Sequence, residues 1–398
     1  MNSSVYRRDK DGHIFGTDES KLNPAPNQQI SASVDQPKTA NNSAPSYPQK
    51  IQQPKPQINL GQIKLPEQIK KFFSSDKNKP KTPIGRVTFY AKRIVIFYLI
   101  FFVFLGIKTS LSLQKMPASS AVAVEDTAGT NWLLVGSDSR EGLTLEEQQQ
   151  LHTGQDEGAQ RTDTIMLVHI SNSGTTLVSL PRDSYVYIPE HTDLEGNLQE
   201  QRRNKLNAAY SQGGAPLLVE TVEFNTGLKI DHYMEIGFKG IRDLTDAVGG
   251  VDICVPQDYN DEKSNLNVKA GCQELDGVTA LAYVRMRYAD PKGDIGRIER
   301  QQQYLGAVMK KVSQVTTLLN PIAMYRVSSA GTDSVILGEG DSIKDVGRLG
   351  LAMRSIASGS GKIATVPISD PAAETAAGSS VIWDKDAAIE FFAQLAAN

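Results

Sequence analysis

Apolar side chains are sparse and unclustered over the first 93 residues. They then fuse into one block, and from residue 131 they recur either at every second position or at every third to fourth. The segments "NWLLVG" (131–136), "TIMLVHI" (164–170) and "TTLVSL" (175–180) are short, rich in branched residues and bounded by turn formers such as "SNSG", which predicts three strands. "APLLVETVEFNTG" has helical spacing and a Gly stop, "DHYMEIGF" and "VDICV" read as strands, and "KGIRDLTDAVGG" reads as a helix between them. Asp276 in "LDGVTALA" is placed to cap a short helix, and Ile295, Ile298, Leu305, Val308, Met309, Val312 and Val315 continue a helical stripe to about residue 318. "KDVGRLGLAMRSIA", "KIATVPIS" and "DKDAAIEFFAQLA" add helix, strand and helix. Residues 131–398 therefore predict one α/β domain, a mixed central sheet flanked by helices.

The apolar block "KRIVIFYLIFFVFLGIKTSLSL" has no charge from Ile94 to Ile107, fourteen residues, and reaches the length of a bilayer span only when extended to Leu113. A span needs about 20 residues. That extension takes in only Lys108, close enough to one end to snorkel. Lys70, Lys71, Lys77, Lys79, Lys81, Arg86, Lys92 and Arg93 precede the block, so its N-terminal side is expected in the cytoplasm and the domain outside. The expected organisation is a disordered tail at 1–93, a transmembrane anchor at 94–113, a linker at 114–130 and the external domain. "AVA" at 121–123 suits a signal cleavage site, but a signal beginning some ninety residues into a chain is unusual, which favours the uncleaved anchor. The Pro-, Gln- and Asn-rich tail has too little apolar surface to offset its ordering entropy.

A net charge of -3 over 398 residues gives no reason to expect a nucleic-acid partner. Cys254 and Cys272 both fall in the external part, where a disulfide is favoured over two buried thiols. The five histidines are scattered, which argues against zinc. "SGSGKIAT" fails as a phosphate loop because Ile356 stands where its first Gly belongs and Ile363 follows the Lys.

If the first three strands pair as antiparallel neighbours, "GSDSR", "RTDT" and "PRDS" meet at one sheet edge, converging Asp138, Arg140, Arg161, Asp163, Arg182 and Asp183. Two carboxylates brought together need a compensating cation, and oxygen donors without His or Cys suit Mg²⁺. Structural Asp–Arg pairs are the other reading, and the residues alone leave both open. Farther along, "LAYVRMRYADPKGDIGRIERQQQ" gathers cations in a telling order. An extended "VRMR" puts Arg285 and Arg287 on one side, while Arg297 and Gln301 share a face near a helix start whose positive dipole end suits an anion, phosphate above all. Lys292, Glu299 and Arg300 are expected to be solvated surface.

These blocks, together with "KLNAAYSQGG" and "DHYMEIGFKGIRDLTDAVGGVDICVP", occur in the order typical of the LytR-CpsA-Psr family, which residues 131–315 resemble. The resemblance implies an α-β-α fold and a membrane-anchored phosphotransferase that moves a glycopolymer from a polyprenyl-pyrophosphate carrier to peptidoglycan. It assigns Asp138 and Asp163 to Mg²⁺, and sets Arg182, Arg285, Arg287, Arg297 and Gln301 around the pyrophosphate with Lys205 and Arg161 nearby. It further implies an apolar tunnel for the polyprenyl chain, lined from the helices at 214–225 and 295–318. The chain departs from the pattern by inserting "EGLTLEEQQQLHTGQDEGAQ" before Arg161, as a flap over the site or, more simply, as surface. Two other activities compete with transfer, hydrolysis of the lipid pyrophosphate to water and lipid binding without turnover by a regulatory protein.

Overall fold

A computed structural model describes residues 7–8, 14–15, 82–122, 124–140, 142–153 and 162–398. The expected disordered tail lies outside the described residues up to position 81, apart from a two-residue strand pair joining Arg7–Arg8 to Ile14–Phe15. From Pro83 the chain is helical. The Thr82 hydroxyl caps Gly85 N–H at 3.2 Å, Pro83 occupies the first turn, and the helix Pro83–Ser112 runs 30 residues, longer than the block at 94–113. It is the one helix among the described residues long and apolar enough to cross a membrane.

A seven-stranded mixed sheet forms the centre, in the order Lys362–Thr365, Gly174–Ser179, Thr162–Ser171, Thr130–Ser137, His232–Ile236, Val335–Gly338, Gln114–Met116. The expected antiparallel trio is present, with Leu133 opposite Leu167 and Leu167 opposite Val178. Gln114–Met116, expected within a linker, is instead the edge strand, so only Leu113 separates the long helix from the sheet.

Alternation along these strands divides the core into two layers. Leu133, Val135, Ile165, Leu167 and Val178 pack against the helices Leu206–Thr226 and Lys385–Ala396. Trp132, Met166, Val168, Leu177 and Leu337 face the helix Ile343–Ala357, with Leu305 and Met309 of the helix Gly293–Val312 beside them. The two helices expected to line one tunnel therefore lie on opposite faces of the sheet and do not enclose a common channel. Both stripes are ordinary core over much of their length. A second apolar centre joins the helices Phe238–Ala247 and Gly277–Arg285 to the hairpin Val251–Val255/Gly271–Leu275. In that hairpin Cys254 stands opposite Cys272, and the two form the expected disulfide.

Local pattern failed at several places, among them the strands Tyr185–Ile188 and Arg202–Lys205. The helix Leu206–Thr226 begins nine residues before its apolar stripe and breaks at Gly214 (φ 68°, ψ -158°), a left-handed backbone just ahead of Pro216. The helix Pro321–Ser334, the strand Val335–Gly338 and the hairpin Ile368–Thr375/Gly378–Trp383 carry too little periodicity to be seen alone.

Candidate functional site

The register of the antiparallel trio builds the first wall of the site. Gly136 pairs with Thr164 and Ser137 with Thr162, so Asp163 is the extra residue of a β-bulge. The bulge turns the Asp163 carboxylate into the same cleft as Asp138, one residue past the end of the neighbouring strand. A Cβ on Gly136 would lie 2.9 Å from the Thr164 Cβ, so this close strand approach requires glycine.

Arg182 is delivered by the turn after the third strand. Ser184 N–H donates to Pro181 O at 3.0 Å and Asn207 N–H donates to Arg182 O at 3.0 Å, fixing the turn to the start of the helix Leu206–Thr226. The Arg182 guanidinium contacts Asp163 and, at 3.2 Å, Asp183. Lys205, the residue before the helix, reaches Asp183 at 3.0 Å. Burial pushes the Asp183 carboxyl upward, but Lys205 and Arg182 outweigh it and hold the group below its usual value. Lys205 thus stands behind Arg182 and is not part of the cleft wall.

The opposite wall comes from the cationic segment, by a route different from the expected one. Asp276 caps Thr279 N–H at 2.8 Å, as its position suggested, but the helix Gly277–Arg285 includes Val284 and Arg285. The chain leaves the helix at Met286 (ψ 136°), so Arg285 and Arg287 enter one cleft from a helix end and the loop after it, not from an extended strand. The loop is held by Asp261, which accepts Lys263 and Ser264 N–H on one oxygen and Arg287, Tyr288 and Ala289 N–H on the other. Burial acts to raise the Asp261 carboxyl, and these backbone donors bring it below its ordinary range. No local pattern marks the role of Asp261, because the partners it holds at Arg287, Tyr288 and Ala289 are more than twenty residues away.

Arg300 is buried rather than solvated. Its Nε donates to Tyr283 O at 3.2 Å, and its terminal nitrogens contact Asp290 and Met286 O, so it clamps the loop between the two helices. Gly296 leaves room for this pair, since a Cβ there would sit 1.9 Å from an Asp290 oxygen. Lys292 and Glu299 are exposed as expected, and they pair with each other at 2.7 Å. One turn of the same helix carries Arg297 and Gln301 into the cleft.

Asp138, Asp163, Arg182, Arg285, Arg287, Arg297 and Gln301 therefore line one cleft of about 300 Å³, while Arg161 lies outside the described residues. Arg140 and Lys263 also line it, giving six cationic side chains against three carboxylates, one of them the Asp261 already committed to backbone donors. Burial and the neighbouring Arg140 press the Arg285 guanidinium downward, and Asp163 and Asp138 oppose them. An arginine stays charged under such pressure, so the cleft is a concentrated positive field with acceptor sites for an anion. Among the described residues no three His, Cys, Asp or Glu side chains group as a metal cage. Two aspartates open to a cleft are the donor set that Mg²⁺ uses when water and phosphate oxygens complete its shell.

The described half of the insertion is docked on this wall. Thr144 and Glu147 form a capping box on the short helix Leu145–Gln150, Glu147 pairs with Arg242 at 2.8 Å, and Leu143 and Leu151 are buried. Three successive carbonyls then face the cleft's arginines. Leu151 O and His152 O accept from Arg285 at 2.9 and 3.0 Å, and Thr153 O accepts from Arg140 at 2.7 Å.

The chain is 44% identical over 284 residues to the probable cell wall biosynthesis protein LcpB of Corynebacterium glutamicum, an alignment covering 71% of this chain and 65% of that protein. It is 36% identical over 174 residues to the polyisoprenyl-teichoic acid–peptidoglycan teichoic acid transferase TagU of Enterococcus faecalis, covering 43% of this chain and 54% of that one. The chain thus spans just under two thirds and just over half of these relatives. In fold it is similar to a LytR-Csp2A-Psr enzyme from Actinomyces oris, with a TM-score of 0.54 at 22% identity over 71% of this chain and 97% of the other. The model of the LytR_cpsA_psr family matches residues 103–377, which include every described residue of the cleft, and the chain belongs to that family.

Proposed function

We propose that the protein is a membrane-anchored phosphotransferase that moves a glycopolymer from a polyprenyl-pyrophosphate carrier to a peptidoglycan hydroxyl. The observation that carries this reading is the convergence of Arg182, Arg285, Arg287 and Arg297 on one cleft beside two aspartates. Phosphoryl transfer asks little covalent chemistry of a protein. Positioning and charge stabilisation supply nearly all the catalysis. In the proposed reaction the acceptor hydroxyl attacks the sugar-linked phosphorus, the bond to the bridging oxygen breaks, and polyprenyl phosphate leaves carrying the new negative charge. Arg285 and Arg287 stabilise that charge from one side, and Arg182, held by Asp163 and Asp183, does so from the other. Gln301 and Arg297 orient the diphosphate near the start of the helix Gly293–Val312.

Asp138 and Asp163 are the residues that would hold Mg²⁺, which supplies neutralisation of diphosphate charge when bound. They are also the cleft carboxylates to which this reading gives the hydroxyl proton, since Asp261 is occupied by backbone donors.

The anchor in this reading is the helix Pro83–Ser112, with the tail in the cytoplasm and the cleft outside, as the cations before Ile94 indicate. LcpB is named for cell wall biosynthesis and TagU for teichoic acid transfer, which supports the acceptor and the carrier class. The test is covalent transfer in vitro from a polyprenyl-diphosphoryl glycan to peptidoglycan with added Mg²⁺. Free glycan phosphate as the only product would assign the cleft to hydrolysis, and tight binding without product would assign it to sensing.

A further inference from the structure

Between Lys311 and Arg326 the chain carries no charged residue, and this stretch forms one corner of the domain. It contains the short helix Val315–Leu318 and the start of the helix Pro321–Ser334. Five large apolar side chains point outward there: Val315 is 66% exposed, Leu318 40%, Leu319 59%, Ile322 64% and Tyr325 45%. Scattered single apolar residues on a surface mean little, but five within eleven positions on one turn make a patch that needs an occupant.

The patch continues onto the membrane helix. Tyr98 Oη donates to Leu319 O at 2.9 Å, Lys108 Nζ donates to Ser329 Oγ at 2.8 Å, and the Lys108 ammonium lies 4.4 Å from the Tyr325 ring centre. The two helices therefore run side by side, with Leu319 level with Tyr98 and Tyr325 level with Lys108. Val103 and Ile107 of the long helix, on its face away from the turn, are exposed over the same interval, so apolar side chains face outward from both helices at one level. Lys108 and Arg326 mark its upper limit.

The backbone of the turn is satisfied from within. Thr317 and Leu318 N–H donate to Gln314 O, Leu319 N–H to Val315 O, and Asn320 N–H to Thr317 O. The Asn320 side chain caps Ile322 and Ala323 N–H at 3.0 and 3.2 Å, and Met324 N–H donates to Asn320 O. These are ordinary helix and cap bonds, and they leave the turn compatible with hydrocarbon, where each unpaired polar group costs several kcal/mol.

We infer that the turn Val315–Tyr325 is a second membrane contact, seated in the outer leaflet beside the helix Pro83–Ser112. The inference rests on the membrane reading of that helix. Ten residues separate Tyr98 from Lys108, which at 1.5 Å per residue corresponds to about 15 Å of depth, roughly one leaflet's share of a ~30 Å hydrocarbon core. With only Leu113 between helix and sheet, the two contacts hold the domain at a fixed height and tilt over the bilayer. A carrier whose long apolar chain stays in the leaflet then meets the cleft without a search by a swinging domain.

Both native cysteines are in the disulfide, so a single added cysteine is the only free thiol. The full chain bearing Ile322→Cys, Val103→Cys or Leu198→Cys, each carrying a nitroxide, is reconstituted into vesicles of phosphatidylglycerol and phosphatidylcholine. Accessibility is read against oxygen, which partitions into lipid, and a water-soluble nickel chelate. At Ile322 and Val103 the oxygen-to-nickel ratio is expected to exceed that at Leu198, an exposed residue on a polar hairpin, by several-fold. A ratio at Ile322 equal to that at Leu198, with Val103 lipid-facing, overturns the inference and leaves the anchor intact. Low access to both reagents at Ile322, with broadening between labels, places a second copy on the patch and also overturns it. A water-facing Val103 removes the anchor reading and the inference with it.

Discussion

The Arg182 guanidinium contacts the Asp163 carboxylate across the mouth of the cleft, although Asp163 belongs to one strand and Arg182 to the turn that follows the next. The bulge that exposes Asp163 and the turn that presents Arg182 are thus locked together before any ligand arrives. Asp163→Asn is expected to loosen Arg182 and lower transfer by about 10²-fold, the scale seen when one preorganised electrostatic contact is lost. Folding stability should change little, because the pair is half-exposed. A thermal melt alongside the transfer assay separates the two effects.

Arg285 and Arg287 are expected to differ under a lysine replacement. Arg285 donates through two nitrogens to Leu151 O and His152 O, and it stacks 4.8 Å from the Phe238 ring, a geometry lysine does not reproduce. Arg285→Lys should therefore retain much less activity than Arg287→Lys, and both alanine variants should lose about 10²- to 10³-fold in kcat. Equal activity of the two lysine variants would show that the carbonyls of 151–153 do not position Arg285.

Arg300 is a structural cation in the midst of functional ones. Arg300→Met leaves Asp290 buried with its charge uncompensated, and loss of one member of a buried pair destabilises by about 3–5 kcal/mol. The expected readout is a large fall in the urea midpoint, with transfer lost only as far as the protein unfolds. Arg300→Met paired with Asp290→Leu should recover part of the stability.

Glu223 gives the fold a pH dependence of definite sign. Burial, opposed by the Ile230 N–H donor, raises its carboxyl to about 7 from the usual 4.5. The folded state therefore holds this proton more tightly than the unfolded chain, and stability falls as pH rises from about 4.5 to about 7 and then levels off. Glu223→Gln should be more stable than the parent above pH ~7, by up to about 3 kcal/mol, and equal to it below pH ~4.5. Denaturant midpoints at pH ~4 and ~8 decide the matter.

Cys254 and Cys272 close a loop with a sequence separation of 18. Removing both by serine substitution is expected to destabilise the chain by about 3 kcal/mol on the loop-entropy account. The closed loop carries Asp261 and Lys263 of the cleft wall, so transfer should fall together with stability, as a dithiothreitol titration of activity and melting temperature would show.

Much of the site was legible because its residues sit where regular elements stop. The antiparallel trio needed only alternation and turn residues, and its register followed, which brought Asp138, Asp163 and Arg182 to one edge. The arginine segment was read correctly as a set and incorrectly in shape. Nothing in "VRMR" reveals that the helix from Gly277 swallows its first two residues, because the buried contacts of Val284 outweigh its β-branched preference. Arg300 and Arg297 are three residues apart and locally alike. Only the tertiary position of Asp290 turns one inward to a clamp while the other lines the cleft. Asp261 was invisible for the same reason, since its worth comes from backbone groups distant in sequence. The expected pairing of two helices around one tunnel failed because two amphipathic stripes do not disclose which face of a sheet each one covers.

The most direct test of the account follows the oxygen that bridges the two phosphorus atoms of a polyprenyl-diphosphoryl glycan. With that oxygen labelled as ¹⁸O, and with peptidoglycan and Mg²⁺ present, the account expects the label in the released polyprenyl phosphate. It also expects unlabelled glycosyl phosphate joined to a peptidoglycan hydroxyl, with both products lost in the Arg285→Ala, Arg287→Ala double variant. Label retained on the glycan, or transfer undiminished in that variant, would contradict it.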